Sequence, residues 1–403
     1  MMERVQQFTP LPSGRPTLQA PLERNSLTGF GRIVTGFTRH ADWPLLATTL
    51  LLVGIGLVAV WSFSPPSSNL FWRQVLWALL GVAAFVIFSS LDYRLFRNHG
   101  AFLLGLYGAM VALLVALLLF APTTRGVRAW FQVGSAGVQP VELVKLVLVL
   151  VLAKYFSRRH IEIARIRHLA ISGIYVWVAV LFVMMQPDLG SAIILGAIWL
   201  AVVTFSGIHL KHIAIFGALF LVFSIVAWLF ILEPYQKVRI TSFINPYHDP
   251  RGGGYNTIQA MIAAGSGGVW GKGIGYGTQS HLSFLPEAET DFIFAAFAEE
   301  MGFAGVLVLL ALFGIFFWRL AKIGIQAQDN FAKLFVLGFG SFLLSQMLVH
   351  MAINLGMLPV TGIVLPFISY GGSSIVTILA GVGILESIRI HSRSEVAHVT
   401  LGG

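Results

Sequence analysis

The sequence has no cysteine and few charged side chains. Its 403 residues include 17 Asp and Glu and 26 Lys and Arg, so only 11% are charged, while 57% are hydrophobic. The absence of cysteine excludes disulfide bonds and thiolate metal sites. The shortage of charge excludes a water-soluble globule of this size, because too few polar side chains exist to cover its surface.

What the sequence does contain is a series of long apolar runs. Several reach the roughly 20 residues that a helix needs to cross a hydrocarbon core about 30 Å thick. They do not alternate apolar and polar residues as the strands of a membrane barrel do. We therefore predict an all-α integral membrane protein with ten transmembrane helices, at about residues 43–64, 71–90, 100–121, 140–156, 169–186, 189–206, 210–232, 291–317, 333–357 and 363–385.

The basic residues are distributed unevenly between the segments that connect these runs. Most of the 26 Lys and Arg residues fall in alternate segments, beginning with the N-terminal one. By the positive-inside rule, this pattern predicts that both termini lie in the cytoplasm. The net charge of +9 is then explained by membrane topology and indicates no nucleic-acid partner.

The chain is expected to have three parts. Residues 1–42 carry several prolines among polar residues, which predicts a disordered cytoplasmic N-terminal tail. Residues 43–390 form the membrane domain, and 391–403 form a cytoplasmic C-terminal tail. Between helices 7 and 8, residues 233–290 make a large extracytoplasmic loop, where chemistry is expected because long loops are often functional. A short amphipathic helix followed by tight turns is predicted there from YNTIQAMIAAGSGGVWGKGIGYG.

Two charged residues lie inside the fourth apolar run, QPVELVKLVLVLVLAKYF. Glu142 and Lys145 are three positions apart and therefore share one helix face. A Lys in such a run is costly unless it is paired or faces a cavity. A structural ion pair and a polar cavity that opens to the outer face explain the pair equally well.

Two glycine-containing motifs have simple explanations. A tight turn is enough to explain QPDLG at Gln186–Gly190. The motif FISYGGSS places Gly371 and Gly372 inside the tenth predicted span. A broken helix that lines a cavity and close packing of helices on small residues account for them equally well.

Acidic residues cluster where the eighth span begins, in FLPEAETDFIFAAFAEEMG. Asp291 follows Thr290, a candidate N-cap, and is expected at the outer membrane boundary near a helix N-terminus. The helix dipole favours the ionised carboxylate there and desolvation favours the neutral acid, a balance that suits a general base. A plain helix cap is the alternative. Glu299 and Glu300 lie about 12 to 13 Å further along a continuous helix, where a basic partner, a polar helix end or a role in proton transfer would account for them.

Basic residues share the large loop with this acidic cluster. Lys237, Arg239 and Arg251 lie in YQKVRITSF and HDPRGGGYNTIQ. Fixed cations beside a base suit a reaction with a diphosphate leaving group, because negative charge grows on that group as its bond breaks. A solvated loop with incidental charges is the alternative.

Several blocks of the sequence together resemble one family. They are VQPVELVKL, QPDLGSA, GYNTIQAMIAAGSGGVWGKGIGYGTQSHLSFLPEAETDFIFAAFAEEMGFAG and GMLPVTGIVLPFISYGGSS. These blocks are similar to those of the shape, elongation, division and sporulation (SEDS) family of bacterial integral membrane proteins, which includes RodA and FtsW. The similarity runs from the first span to about residue 390. The block GTQSHLSFLPE is closer to RodA, whereas the long N-terminal tail is more typical of FtsW.

The resemblance implies a peptidoglycan glycosyltransferase that polymerises lipid II on the outer face of the bacterial cytoplasmic (inner) membrane, for cell elongation and shape. It implies a class B penicillin-binding protein, a transpeptidase, as partner. Lipid II, nascent glycan, membrane lipids and elongasome or divisome proteins are the other expected partners. A lipid II flippase, the division-specific FtsW paralogue and a scaffold for the crosslinking enzyme are the alternatives.

The resemblance also implies roles for individual residues. Asp291 matches the family's essential aspartate and is expected to take the proton of the acceptor hydroxyl. Glu142 and Lys145 match the polar pair that lines the family's cavity. Lys237 and Arg239 are expected to steady the departing diphosphate, and a divalent cation (Mg or Mn) is the candidate cofactor for the same task.

Further substrate-binding residues are implied by two motifs. Gln279 and Ser280 belong to GTQS, and Glu287 belongs to FLPE. No residue is assigned as a metal ligand. The chain has Val141, Glu289 and Ala129 where Ser, His and Arg are usual, so the contacts of Glu289 and of the 122–139 loop are expected to differ from the family pattern.

Overall fold

The computed structural model describes residues 41–64, 68–121, 129–133, 136–157, 166–207, 245–252 and 254–401, with 227–231 and a few single positions between 211 and 243. Nearly all of the predicted N-terminal tail lies outside these described residues. The same is true of most of the predicted seventh span, 210–232.

The described residues form helices and one β-hairpin. In chain order they are α1 (Trp43–Phe63), α2 (Leu70–Ser90), α3 (Arg94–Asn98), α4 (Gly100–Phe120), β1 (Phe131–Val133), β2 (Ala136–Val138), α5 (Pro140–Ser157), α6 (Ile166–Met185), α7 (Leu189–Phe205), α8 (Tyr255–Ser266), α9 (Thr278–His281), α10 (Ile293–Gln326), α11 (Asn330–Asn354) and α12 (Gly372–Leu401). A π-helical turn at Ala227–Ile231 and a 3₁₀ turn at Pro246–His248 are also described. The two strands pair antiparallel, with Gln132 opposite Gly137.

Seven of these helices are long and apolar enough to cross a membrane, namely α1, α2, α4, α6, α10, α11 and α12. The prediction of a helical, multi-pass membrane protein is therefore confirmed at this level. α7 is also apolar but has only 17 residues. α5 has 18 residues and contains Glu142, Lys145 and Lys154.

The peripheral helices present apolar side chains outward. Only 17% of the most apolar part of α2 and 22% of that of α4 are buried inside the protein. Leu79, Leu119 and Phe120 are each more than 60% exposed. Apolar surface this extensive is unfavourable in water and is expected where a helix faces lipid.

α5 and α12 form the centre of the bundle. Most residues of α5 are buried, and so is 83% of the apolar part of α12. α2 can approach α12 closely because glycines face the contact: a Cβ on Gly383 would lie 2.7 Å from Phe85 O, and one on Gly81 would lie 2.5 Å from Leu379 Cδ1. The hydrophobic effect does not drive helices together in lipid, so they associate through close van der Waals packing, which small residues allow.

The bundle has two distinct ends. At the hairpin end, α5, α7 and α12 begin, and α1, α4, α6 and α11 end. At the opposite end, buried Asp42 caps α1 and forms ion pairs with Arg319 of α10 (2.5 Å) and Arg389 of α12 (2.9 Å). The backbone N–H of Asp42 also donates to Glu386 Oε1 at 2.7 Å. These buried charges compensate one another and join α1, α10 and α12.

α10 is interrupted, contrary to the predicted continuous span 291–317. Gly302 has φ 65° and ψ −171°, which ends one helical section at Met301 and starts another at Phe303. The N–H groups of Phe303 and Ala304, freed at the break, donate to Gly268 O and Val269 O, both at 2.9 Å. The two glutamates therefore precede the break, so they do not lie within a straight spanning helix as the sequence suggested.

α12 begins later than the predicted span 363–385, because residues 358–371 are not helical. This irregular segment is held by a buried polar stripe on α11. Gln346 Nε2 donates to Val364 O at 3.1 Å, and His350 Nδ1 lies 2.6 Å from Ile363 O. Irregular backbone is tolerated among membrane helices where protein groups satisfy its polar atoms in this way. Both explanations for Gly371 and Gly372 are observed in part: the helix is broken before Gly372, and Gly372 packs closely on α2, since a Cβ there would lie 2.2 Å from Trp77 Cε2.

Gly302→Ala is expected to destabilise the protein strongly. The φ and ψ values at Gly302 are accessible to little but glycine, and a Cβ there would lie 2.2 Å from Gly271 N. Strain and overpacking together should cost about 2–5 kcal/mol, seen as a lower midpoint when the detergent-solubilised protein is heated and its folded fraction is measured by size-exclusion chromatography.

Gly314→Ala is the matched control for this substitution. Gly314 lies in the second section of α10, and a Cβ there would meet nothing within 4 Å. Its thermal midpoint should equal that of the unmodified protein or exceed it slightly, because Ala is the better helix former. Equal midpoints for the two variants would contradict the assigned role of Gly302.

Candidate functional site

Asp291 lies directly before α10, in a turn of the hairpin end. α10 begins at Ile293 with Phe292 as its N-cap residue, and no side chain of the N-cap residue bonds the first turn. The expectation that Thr290 caps this helix is therefore wrong. Thr290 Oγ1 instead contacts Glu287, 3.3 Å from its Oε2. Asp291 itself is half-buried.

The cap of α10 comes from the end of another helix. Asn354, fully buried at the end of α11, accepts a hydrogen bond from Ala295 N at 3.0 Å and donates one to Asp291 O at 3.0 Å. An amide side chain can supply both an acceptor and a donor, and this one serves the helix N-terminus and the aspartate backbone together. Sequence analysis missed Asn354, because a polar residue near the end of a long apolar helix carries no signal of its distant partner.

The charged pair on α5 is buried. Lys145 Nζ lies 2.6 Å from Glu142 Oε1, and both side chains are at most 4% exposed. The Lys145 ammonium also lies 5.6 Å from the ring centroid of Phe342 on α11. The predicted shared helix face is thus observed. The second carboxylate oxygen of Glu142 is buried, and no hydrogen-bond partner is found for it among the described residues.

Asp188 joins this pair, although a tight turn had been sufficient to explain its motif. Asp188 is the N-cap of α7, with Oδ1 accepting from Ser191 N at 2.9 Å. Gln139 Nε2 donates to its Oδ2 at 3.4 Å. Burial raises the pKa of Asp188 above its usual range, while the Ser191 bond and the charge of Lys145 oppose that rise. The site therefore contains two buried carboxylates and one ammonium.

The starts of α5, α7 and α12 come together around these charges. Besides the Gln139–Asp188 contact, Gln139 N donates to Ser373 Oγ of α12 at 2.8 Å. Helix N-termini carry partial positive charge, so this part of the hairpin end combines three of them with Lys145. The anionic groups held by this arrangement are the carboxylates of Glu142, paired with Lys145, and Asp188, which caps α7.

A short segment connects the α5 charges to Asp291. Ser369 Oγ donates to Thr290 O at 2.9 Å, and Ser373 Oγ accepts from Gln139 N. Four residues of extended chain reach at most roughly 15 Å. The acidic turn before α10 and the start of α5 are therefore both bound to the same short segment.

Glu299 and Glu300 bind the segment that follows α8. Buried Glu299 accepts from Lys272 Nζ at 2.7 Å, from Gln279 N at 2.9 Å and from Ser280 N at 3.2 Å. Glu300 is equally buried, and its partners are Ser62 Oγ of α1 (2.8 Å), Gly275 N (2.8 Å) and His281 Nε2 (2.9 Å). Of the possibilities raised for this pair, the contacts match two: Lys272 is a basic partner, and the amides of Gln279 and Ser280 belong to the start of α9, a polar helix end.

The segment from Gly267 to His281 follows the predicted pattern. A short amphipathic helix, α8, is followed by turns in which Gly268, Gly271, Gly273 and Gly275 have positive φ. Gly271 also approaches α10 closely, since a Cβ there would lie 2.1 Å from Glu300 O. Glycine is needed both for the left-handed turn and for this backbone contact.

The remaining predicted site residues are placed as follows. Ser280 is buried, and both its amide and its hydroxyl bind Glu299. Gln279 is half-buried, and Glu287 is half-buried beside Thr290. Lys237 is half-buried and has helical backbone geometry. Arg239 lies outside the described residues.

The described part of the chain offers no fitting site for a resident metal ion. No group of three or more His, Asp or Glu side chains within it could hold one.

Comparisons with known proteins agree with this arrangement. Residues 43–394 match the family model FTSW_RODA_SPOVE, described as "Cell cycle protein". The chain is 34% identical to the peptidoglycan glycosyltransferase MrdB of Escherichia coli, over 88% of this chain and 95% of that one. It is 36% identical to a probable peptidoglycan glycosyltransferase FtsW of Nitrosomonas europaea, over 87% and 93%.

Solved structures show the same similarity. The rod shape determining protein RodA of Thermus thermophilus has a TM-score of 0.65 and 30% identity, covering 87% of this chain and 96% of that one. A chain from a peptidoglycan synthase complex that coordinates polymerization and crosslinking has a TM-score of 0.73 and 32% identity, covering 87% of this chain and 98% of that one. The family resemblance found in the sequence is thus confirmed, and the chain belongs to the FtsW, RodA and SpoVE family of cell cycle proteins.

Proposed function

We propose that this chain is a peptidoglycan glycosyltransferase that polymerises lipid II into glycan strands. The observation that carries the proposal is the position of Asp291: a half-buried carboxylate before the N-terminus of α10, beside a region with an ammonium and converging helix N-termini. Family relatives named as peptidoglycan glycosyltransferases support the same activity.

The reaction joins two lipid-linked sugars. The C1 atom of the donor sugar is bonded to a lipid diphosphate, and the 4-hydroxyl of the acceptor attacks C1. The new C1–O bond forms as the bond to the diphosphate breaks, and the hydroxyl proton passes to the Asp291 carboxylate. Removing that proton during attack makes a weak nucleophile effective.

The leaving diphosphate needs fixed positive charge, and we assign that role to Lys237 and Arg239. A divalent cation (Mg or Mn) bound to the diphosphate would supply further positive charge for the same task. Glu142 and Lys145 are assigned to the part of the site that receives the polar head of the substrate. We assign substrate binding to Gln279, Ser280 and Glu287. Ser280 is assigned an indirect part, through its hydrogen bond to Glu299.

The proposed membrane arrangement has ten helices in the bacterial cytoplasmic membrane. Both termini, with residues 1–42 and 391–403 as tails, lie in the cytoplasm, and the 233–290 loop between helices 7 and 8 faces outward. The hairpin end is then the outer end, where lipid II is polymerised. The distribution of Lys and Arg supports this orientation.

The proposed partner is a class B penicillin-binding protein that crosslinks the new glycan, within an assembly for cell elongation. The relative from a peptidoglycan synthase complex and the rod shape determining relative support this assignment. If the chain serves elongation, its depletion should give rounded cells. Filaments that fail to divide would assign it to division.

Purified protein tests the activity directly. The chain, co-expressed with its penicillin-binding partner, is incubated in detergent with fluorescent lipid II, and the products are separated by electrophoresis. A ladder of glycan strands is expected. A flippase would give no ladder, because detergent offers no second compartment, and a scaffold would give none either. A parallel preparation from cells that express an unrelated membrane protein controls for contaminating synthases.

A further inference from the structure

The backbone around Asp291 is held by three consecutive hydrogen bonds. Glu289 O accepts from Tyr370 N at 2.9 Å, Thr290 O accepts from Ser369 Oγ at 2.9 Å, and Asp291 O accepts from Asn354 Nδ2 at 3.0 Å. The donors come from the end of α11 and from the irregular segment before α12. Each peptide carbonyl of the acidic turn is therefore tied to the rest of the bundle.

The two side-chain donors are themselves fixed. Asn354 is fully buried, and besides Asp291 O it binds Ala295 N and His350 O, the latter at 2.8 Å. Ser369 is 5% exposed, and its Oγ accepts from Leu365 N at 2.8 Å. A side chain with several partners has little freedom to rotate, so it transfers the rigidity of its own helix or segment to the acidic turn.

We propose that Asn354 and Ser369 are positioning residues for glycosyl transfer, which set the place of the Asp291 carboxylate through the backbone of residues 289–291. This inference rests on the proposed function. Neither residue needs to touch the substrate. A general base must lie within hydrogen-bond reach of the proton that it removes, and a misplacement of about 1 Å can cost roughly 100-fold in rate.

A purely structural role is the competing explanation. Under it, the two residues only satisfy buried backbone groups, and their loss lowers stability without changing the reaction. The two explanations differ in what they predict for kcat, for the pH profile and for a variant that already lacks the base.

Ser369→Ala tests the proposal, and Ser345→Ala is the matched control. Ser345 is half-buried on α11, and its Oγ donates within its own helix, to Ser341 O at 2.7 Å and Phe342 O at 3.0 Å. Glycan formation is measured against lipid II concentration for the complex with the penicillin-binding partner. Ser369→Ala should lower kcat by about 10-fold or more with KM changed by less than about 2-fold, since only placement of the base is affected.

Rescue and pH profile complete the test. Ser369→Thr keeps the hydroxyl and should recover activity to within about 3-fold of the unmodified complex, since the bond to Thr290 O is retained. Ser369→Ala should also move the acid side of the kcat/KM profile, because a displaced carboxylate has new surroundings. Ser345→Ala should leave both kcat and the profile unchanged.

Combination with Asp291→Asn gives the decisive comparison. The comparison is made on the residual glycan formation of Asp291→Asn, measured over long incubations. If Ser369 acts through Asp291, the double variant should be no slower than Asp291→Asn alone, because effects that share one route are not additive. Additive losses, or a Ser369→Ala complex as fast as Ser345→Ala, would overturn the inference. Asn354→Leu, which removes the other side-chain donor, repeats the comparison independently.

The outcomes separate this inference from the proposed function. If the unmodified complex forms no glycan, the proposed function fails. If it forms glycan and Ser369→Ala does so equally well, only the positioning role fails. Thermal midpoints of all variants, measured in the same detergent, identify any loss of rate that comes from unfolding.

Discussion

Asp291→Asn should abolish glycan polymerisation, with a loss of at least about 100-fold, since a positioned general base contributes roughly 10²–10⁴-fold. The amide has nearly the same shape as the carboxylate but cannot take up the proton of the acceptor hydroxyl. The bonds that hold residue 291 through its carbonyl involve the backbone and remain available. The variant should therefore fold and bind its partner while forming no ladder within the time in which the unmodified complex forms one from fluorescent lipid II.

Asp249→Asn is the matched control for this substitution. Asp249 lies in the same large loop, is exposed, and accepts a hydrogen bond from Gly252 N through its side chain. The change in charge is identical, so this variant controls for the loss of one negative charge. Its ladder should match that of the unmodified complex. An Asp291→Asn complex that polymerises as fast as Asp249→Asn would show that another group removes the proton.

Lys145→Met should give the largest loss of stability among single substitutions at the site. The change leaves Glu142 buried without its ammonium partner, close to the second buried carboxylate, Asp188. Removing one partner of a buried ion pair typically costs about 3–5 kcal/mol. The thermal midpoint of the detergent-solubilised protein should fall accordingly, and the yield of folded protein should fall with it.

A double-mutant cycle distinguishes pairing from simple loss of packing. Glu142→Gln combined with Lys145→Met removes both charges, so the double variant should be more stable than Lys145→Met alone. Lys333→Met, at an exposed position of α11, serves as control and should change the free energy of unfolding by less than about 0.5 kcal/mol. A double variant less stable than either single one would show that the two side chains do not depend on each other.

Features that depend on local pattern could be predicted from the sequence. The apolar runs predicted the helices. The spacing of Glu142 and Lys145 predicted that they share a helix face, and the glycines after α8 predicted the turns. Each of these follows from a period or a residue type within a few positions. The long specific block around Asp291 gave the family.

Features that depend on distant contacts could not be predicted. The cap of α10 comes from Asn354, 59 positions away from Ala295. The break at Gly302 looks in the sequence like any glycine in an apolar run, and only the docking of Gly268 and Val269 explains it. The late start of α12 likewise depends on Gln346 and His350 of another helix. A prediction from hydropathy alone treats these positions as parts of continuous membrane-spanning helices.

The interruption of α10 has a consequence for biosynthesis of the protein. The section from Phe303 to Gln326 is about 36 Å long at 1.5 Å per residue, which is enough by itself to cross a hydrocarbon core of about 30 Å. It contains no carboxylate, and its cations Arg319 and Lys322 follow the apolar stretch. The translocation machinery can therefore insert this section during synthesis without transferring Glu299 or Glu300 into lipid, where a charged side chain would cost about 2.5–3.5 kcal/mol. We therefore expect the two glutamates to stay at the surface of the bilayer until their partners from the preceding loop and α1 pack against them.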